Sequence, residues 1–169
     1  MPDMIVSLVH LPHAGPALRA AAAAGVAIRR VNPWERHLLR DFILTHFSRS
    51  WAEEADVAFS RAPVTCFGAW RGGQLVGFAA YECSRKCYFG PTGVDPAARG
   101  GGIGKALLFA ALIGLREIGY TYAVIGDAGP VDFYRHVTGA QPIQIGDGRG
   151  VYTLSWDPAL FDLVSETKP

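Results

Sequence analysis

The sequence predicts a mixed α/β fold: a mostly antiparallel sheet of about six or seven strands, flanked by helices. Three observations carry this. Strand-like and helical runs alternate along the chain instead of segregating. Gly72-Gly73 separates two strand-like runs, the signal of a tight antiparallel hairpin. A long amphipathic stretch is followed at 122–126 by a nearly continuous apolar run, as expected of a strand covered on both faces.

The elements follow in order. "MIVSLV" (4–9) reads as a short strand, and "PALRAAAAA" (16–24) as a strong helix former that stops at Gly25. "VAIRRV" (26–31) is a strand. Asn32 then caps a helix with Pro33 as its first residue and Glu35 adding acidic charge to the first turn. Its expected inner face is Trp34, Leu38 and Phe42, extended by Leu39 and His46. A second helical segment opens at Ser50, with Trp51, Ala55, Ala58 and Phe59 turned inward.

"VTCFGAW" and "QLVGFAAYEC" form the hairpin arms. On the second arm Val76, Phe78, Ala80 and Glu82 share one face, and Leu75, Gly77, Ala79, Tyr81 and Cys83 the other. "CYFGPTGV" is a further strand, with a bulge or an edge at Gly90-Pro91. Ile103, Leu107, Leu108, Ala111, Leu115 and Ile118 keep a helical period that Gly119 ends. After the 122–126 strand come a short helix, "GPVDFYRHV", and two late strands, "QPIQI" and "VYTLSW", around a "GDGRG" turn. This divides the chain into an N-terminal extension (1–25), one domain (26–156) and a polar tail (157–169).

Bulk properties narrow the function. With 169 residues, half of them hydrophobic and 18% charged, the chain is long enough to bury a core and is not a disordered composition. A net charge of +1 gives no bulk attraction to nucleic acid or to an anionic membrane, so neither is expected as a partner. The N-terminal apolar stretch lacks a basic start and is broken by His10 and Pro12, which argues against a signal peptide. A cytoplasmic protein is expected. Cys66, Cys83 and Cys87 are too few and too irregularly spaced for a disulfide framework or a zinc site. They read as reduced structural thiols, and no metal is expected.

The chemistry concentrates in "GVDPAARGGGIGKALL" (93–108). A Walker loop fails here twice: Arg99 stands where its first glycine belongs, and Ala106 where its magnesium-binding hydroxyl belongs. A dinucleotide fingerprint fails in both registers, which put Lys105 or Leu107 at its third glycine. What fits is R-x-x-G-x-G at Arg99, Gly102 and Gly104, after a strand and before a helix. Glycines let successive N–H groups face an anion without interference from a Cβ, and the helix N-terminus behind them adds partial positive charge. Such a loop holds a pyrophosphate without metal, with Arg99 and Lys105 to meet the remaining charge.

Val94 to Leu108 resembles the signature of the GNAT family of acetyl-CoA-dependent N-acyltransferases, "V-x-P-x-x-R-G-x-G-I-G-x-x-L-L". The resemblance in element order extends over roughly 26–156. It implies acetyl-CoA as cosubstrate and a sheet splayed between the strands at 87–94 and 122–126, leaving a slot for the acyl arm. Backbone at Gly93 and Val94 would pair with the pantetheine. Arg99, Gly100, Gly101, Gly102, Ile103, Gly104 and Lys105 would bind the pyrophosphate. "DFYRHVTGA" matches the family segment in which a Tyr protonates the leaving thiolate, which implicates Tyr134, with Phe133 among the cofactor-binding residues. The match departs by one extra residue before Gly139 and by Ala140 for an aromatic.

The general base stays open at this level. Glu82 is the best single side chain, Asp127 is comparable, His136 faces elsewhere, and loss of the proton to ordered water needs none of them. Glu53, Glu54 and Asp56 beside Trp51 would suit a cationic, partly apolar amine, or would form an ordinary solvated helix face. The expected function is transfer of an acetyl group to a primary amine of a small molecule or peptide, in a ternary complex. The alternative is a non-catalytic acyl-CoA-binding sensor on the same scaffold. "GPVDFYRHVTGAQPI" with the following "GVY" also looks like GNAT domains found with amino-sugar hydrolases. A homodimer is left open.

Overall fold

The structure is a computed structural model and describes residues 1–144. Among these residues seven strands form one sheet in the order β2-β3-β4-β5-β6-β1-β7. They are β1 (Met4–Ser7), β2 (Val26–Arg30), β3 (Cys66–Arg71), β4 (Gln74–Tyr81), β5 (Tyr88–Val94), β6 (Tyr122–Ile125) and β7 (Gln141–Pro142). Every neighbouring pair is antiparallel except β5 and β6, which run parallel. The mixed, mostly antiparallel sheet is the one expected. The "VYTLSW" strand and the "GDGRG" turn lie outside the described residues.

Among the described residues five α-helices cover the sheet: α1 (Gly15–Ala23), α2 (Arg36–His46), α3 (Arg49–Asp56), α4 (Ile103–Glu117) and α5 (Val131–Thr138). One core joins α1 and α4 to the sheet through Ala17, Ala21, Leu107, Leu108, Leu112 and Tyr81. The other joins α2 and α3 to the opposite face through Leu39, Phe42, Ile43, Ala52, Ala55 and Phe78. α1 packs against both α4 and β2, and α4 is buried nearly all round, including Phe109 and Ala110. Ile118, expected inside, lies just past the last turn and is 47% exposed.

Three local expectations change. First, β1 sits between β6 and β7, so residues 1–25 build part of the main sheet. Second, the inner face of α2 is Leu39, Phe42 and Ile43, while Trp34 is 72% exposed and Leu38 points outward. The cause is that Pro33–Glu35 forms a 3₁₀ turn before the α-helix begins. A 3₁₀ turn advances 120° per residue, so a face counted at α-helical pitch from Trp34 falls out of phase. Asn32 does start this segment: its N–H donates to Glu35 Oε2 at 2.8 Å, and Arg29 grips the same carboxylate with both guanidinium nitrogens. Third, on β4 the alternation breaks at its start. Ala69 pairs with Gly77 but Trp70 pairs with Leu75, so Val76 is the extra residue of a bulge. Leu75 consequently packs with Phe78 and Ala80, and Val76 with Ala79 and Tyr81. The hairpin turn at Gly72 and Gly73, with φ of +56° and +81°, has the two positive dihedrals that a two-residue connection favours.

Candidate active site

β5 is the hinge of the site. It pairs with β6 only at Tyr88 and Phe89, facing Val124 and Ile125. Beyond those two pairs the strands part, while β5 stays on β4 through Thr92, Gly93 and Val94. Gly90-Pro91 falls where the strands separate, and Pro91 has no N–H to leave unpaired. The splay expected between these two strands is therefore present.

The backbone facing the slot follows from strand alternation. The Asp95 N–H donates to Val76 O on β4, and an antiparallel ladder points alternate amides to opposite sides. The amides of Val94 and Thr92 thus face the slot, whereas that of Gly93 faces β4. The missing side chain at Gly93 has its own reason: a Cβ there would collide with the Phe47 ring on the α2–α3 side. Phe47 stacks on Trp51, with centroids 5.4 Å apart, and meets Phe78 edge-on.

The slot opens into a cavity of about 610 Å³ that runs from one face of the sheet to the other. On the α4 side it is walled by Gly104 and Leu108, on the α3 side by Ser50, Trp51 and Glu54, and at the β6 end by Asp127, Phe133 and Tyr134. Of the sequence-predicted residues, Gly93, Val94, Gly104, Phe133 and Tyr134 line it directly.

Arg99 to Ile103 continue from the Gly104 edge as the turn into α4. Gly100, Gly101 and Gly102 take φ of +99°, +57° and +77° in succession, a path that L side chains resist. Gly102 is the N-cap of α4, its carbonyl accepting the Ala106 N–H at 2.9 Å. Arg99 and Lys105 are exposed at the two ends of the loop, and neither has an ion-pair partner among the described residues. Three successive left-handed glycines, a long helix behind them and two available cations fit a pyrophosphate. The cavity beside them fits the pantetheine and acyl arm.

Tyr134 is 6% exposed, edge-on to Phe89 and Phe133 at 6.2 and 5.3 Å. Burial pushes its phenol up to about 12, so it stays protonated through the neutral range. Its hydroxyl has no hydrogen-bond partner among the described residues.

Glu82 is placed elsewhere. It sits in the turn after β4 at φ +59°, its carboxylate taking the Cys87 N–H at 2.6 Å and Lys86 Nζ at 2.9 Å. Burial works against its ionisation, but the bonds from Lys86 and Cys87 outweigh it and hold the carboxyl below its ordinary range. Glu82 does not line the cavity, and its carboxylate is held by Lys86 and the Cys87 N–H. Glu82→Gln is expected to lower Tm by about 3–8 °C through loss of a buried charged hydrogen bond. Its kcat/KM per folded molecule should stay within about threefold of wild type; differential scanning fluorimetry and steady-state rates check the two separately. His136 is exposed and bonds back to Asp132 O, also away from the cavity. The cysteines match their structural reading: burial raises all three thiols, Cys83 to about 12.

The N-terminal strand contributes a part of the site that no motif signals. Asp3 Oδ1 accepts the Asp127 N–H at 2.8 Å, and Pro2 O accepts the Ala128 N–H at 2.8 Å. β1 therefore fixes the turn between β6 and α5 that carries Asp127 and leads to Tyr134.

Comparison with known proteins agrees with this geometry. A model of the acetyltransferase (GNAT) family matches residues 30–139, and the chain belongs to that family. Among solved structures it is similar to a GCN5-related glucosamine N-acetyltransferase region of a fungal multi-domain GH3 β-N-acetylglucosaminidase (TM-score 0.70, 17% identity, 84% of this chain, 19% of that chain). It is also similar to a GCN5-related N-acetyltransferase from Sphaerobacter thermophilus (0.59, 19%, 84% and 48%). A third is a GNAT family acetyltransferase from Brucella melitensis in complex with acetyl-CoA (0.51, 25%, 80% and 97%). The chain thus spans about a fifth of the first of these and just under half of the second. No curated protein sequence matches it. Among the described residues no group of side chains could hold a metal, and no helix is long and apolar enough to cross a membrane.

Proposed function

We propose that this protein is an acetyl-CoA-dependent N-acetyltransferase acting on a primary amine of a small molecule or peptide, by direct attack in a ternary complex. The observation that carries the reading is the slot between β5 and β6. It meets the glycine loop on one face of the sheet, meets an open acceptor side on the other, and has Tyr134 in its wall.

Bound acetyl-CoA supplies a thioester whose carbonyl carbon the amine attacks, forming the C–N bond and breaking C–S. The chain's residues do the rest. The loop from Arg99 to Lys105 holds the pyrophosphate, and the slot-facing amides of Thr92 and Val94 align the arm like a neighbouring strand. The Val94 N–H is the donor aimed at the developing oxyanion. Tyr134, protonated through the neutral range, gives its proton to the departing sulfur and regains one from water. The amine's proton leaves to water in the open slot.

Release of free thiol from acetyl-CoA over a panel of amines tests this: glucosamine, aliphatic amines and diamines, amino acids and N-terminal peptides. Turnover with at least one class is expected. Tight acetyl-CoA binding with no thiol release from any of them would instead mark an acyl-CoA-binding sensor.

A further inference from the structure

Resting on the acceptor-side reading of the cavity, we infer that the preferred acceptor is a cationic amine, one carrying a positive charge besides the amine it gives up. Trp51 and Glu54 would hold that second charge. The three acids of α3 are not equivalent. Glu53 pairs with Arg49 of its own helix at 3.2 Å, Asp56 bridges to Arg36 of α2 at 2.6 Å, and neither lines the cavity. Glu54 alone lines the cavity, one helical turn beyond Trp51 and on the same face.

The indole is held from behind by its stack on Phe47 and is 37% exposed. A rigid aromatic face with a carboxylate a turn away is the arrangement that attracts a desolvating ammonium. Across the cavity stands a second carboxylate, Asp127, and the wall itself shows what that position accepts: the Met1 amino nitrogen lies 2.8 Å from Asp127 Oδ1. No Lys, Arg or His side chain lines the cavity among the described residues. An acceptor with a carboxylate near its amine would meet the Glu54 charge with no side-chain cation in the described wall to offset it, since the Met1 ammonium there is already paired with Asp127. A dication that gives up one amine at the slot leaves its second ammonium beside the Trp51 ring, with Glu54 retaining the charge that survives acetylation.

The test uses straight-chain diamines from putrescine to hexamethylenediamine. Each is matched with the amino alcohol and the amino acid of the same chain length. In the wild type, kcat/KM for the best diamine is expected about tenfold above its amino alcohol, with the amino acid lowest. Glu54→Gln should bring that diamine down to the amino-alcohol value and leave the amino alcohol unchanged. Trp51→Leu should act in the same sense, and Glu54→Asp should retain part of the preference. Diamine and amino alcohol within twofold of each other, glucosamine exceeding every diamine, or Glu54→Gln lowering all three partners equally would overturn the inference. If acetyl-CoA binds but no amine releases thiol, the enzyme reading fails independently. Calorimetry of the same diamines with CoA-loaded protein then decides this one: binding lost in Glu54→Gln supports it, and absence of binding in the wild type overturns it.

Discussion

Replacing Tyr134 by Phe lowers kcat by about 10²-fold and leaves acetyl-CoA affinity within about twofold. The low end of the general-acid range applies because a thiolate leaves far more readily than an alkoxide or an amide anion. The Phe ring keeps the edge-on packing against Phe89 and Phe133, so only the hydroxyl is lost. No bond to another described residue is broken with it, and stability at neutral pH should be nearly unchanged. Equilibrium titration with acetyl-CoA and single-turnover rates separate the two effects; an unchanged rate removes Tyr134 from the mechanism. The pH dependence adds a second signature. Burial raises the folded-state pKa to about 12, above the ordinary value of 10.0. The stability tied to this group is therefore fully present below about 10 and is lost as pH rises toward 12. In Tyr134→Phe that alkaline loss should shrink, which thermal melts across the same range would show.

How much of this was legible in the sequence depends on the distance over which each feature is encoded. The glycine loop, its helix and the Gly72-Gly73 hairpin are local: the residues that demand the backbone shape are the residues that adopt it. The splay was implied by the family resemblance carried by Val94 to Leu108, and the β5–β6 pairing shows it. The insertion of β1 between β6 and β7 joins residues more than a hundred positions apart, and nothing in "MIVS" names its partners. The contribution of Asp3 to the active-site rim was hidden for the same reason. The placing of Glu82 on the strand carried the alternation one residue past the end of β4. The register shift between Ala79 and Tyr81 and the left-handed backbone at Glu82 take it into a turn, and only the spacing to Lys86 hinted at the clamp. Glu53, Glu54 and Asp56 look alike in sequence, and of the three Glu54 is the one that lines the cavity.

Replacing Gly102 by Val weakens acetyl-CoA binding by at least about 10²-fold, because two penalties act on one loop. The first is conformational. At φ +77° an L side chain costs about 1–2 kcal/mol, and a β-branched one more. The second is spatial: a Cβ at this position lies 3.7 Å from Ala20 Cβ on α1, so the added methyls either press on that helix or turn toward the anion. The strain is relieved by rotating the backbone out of the left-handed region. That rotation redirects the amides that make up the anion cradle, each worth about 1.5–3 kcal/mol as a charge-assisted bond. Gly73→Val is the control. It imposes the same kind of strain at φ +81° in the β3–β4 hairpin, where a Cβ meets nothing within 4 Å and whose amides are not part of the anion cradle. Both variants should lose comparable thermal stability, and only Gly102→Val should lose affinity, read by calorimetry with acetyl-CoA. Equal losses of affinity would trace the effect to general destabilisation, and retained affinity in Gly102→Val would take the pyrophosphate away from this loop.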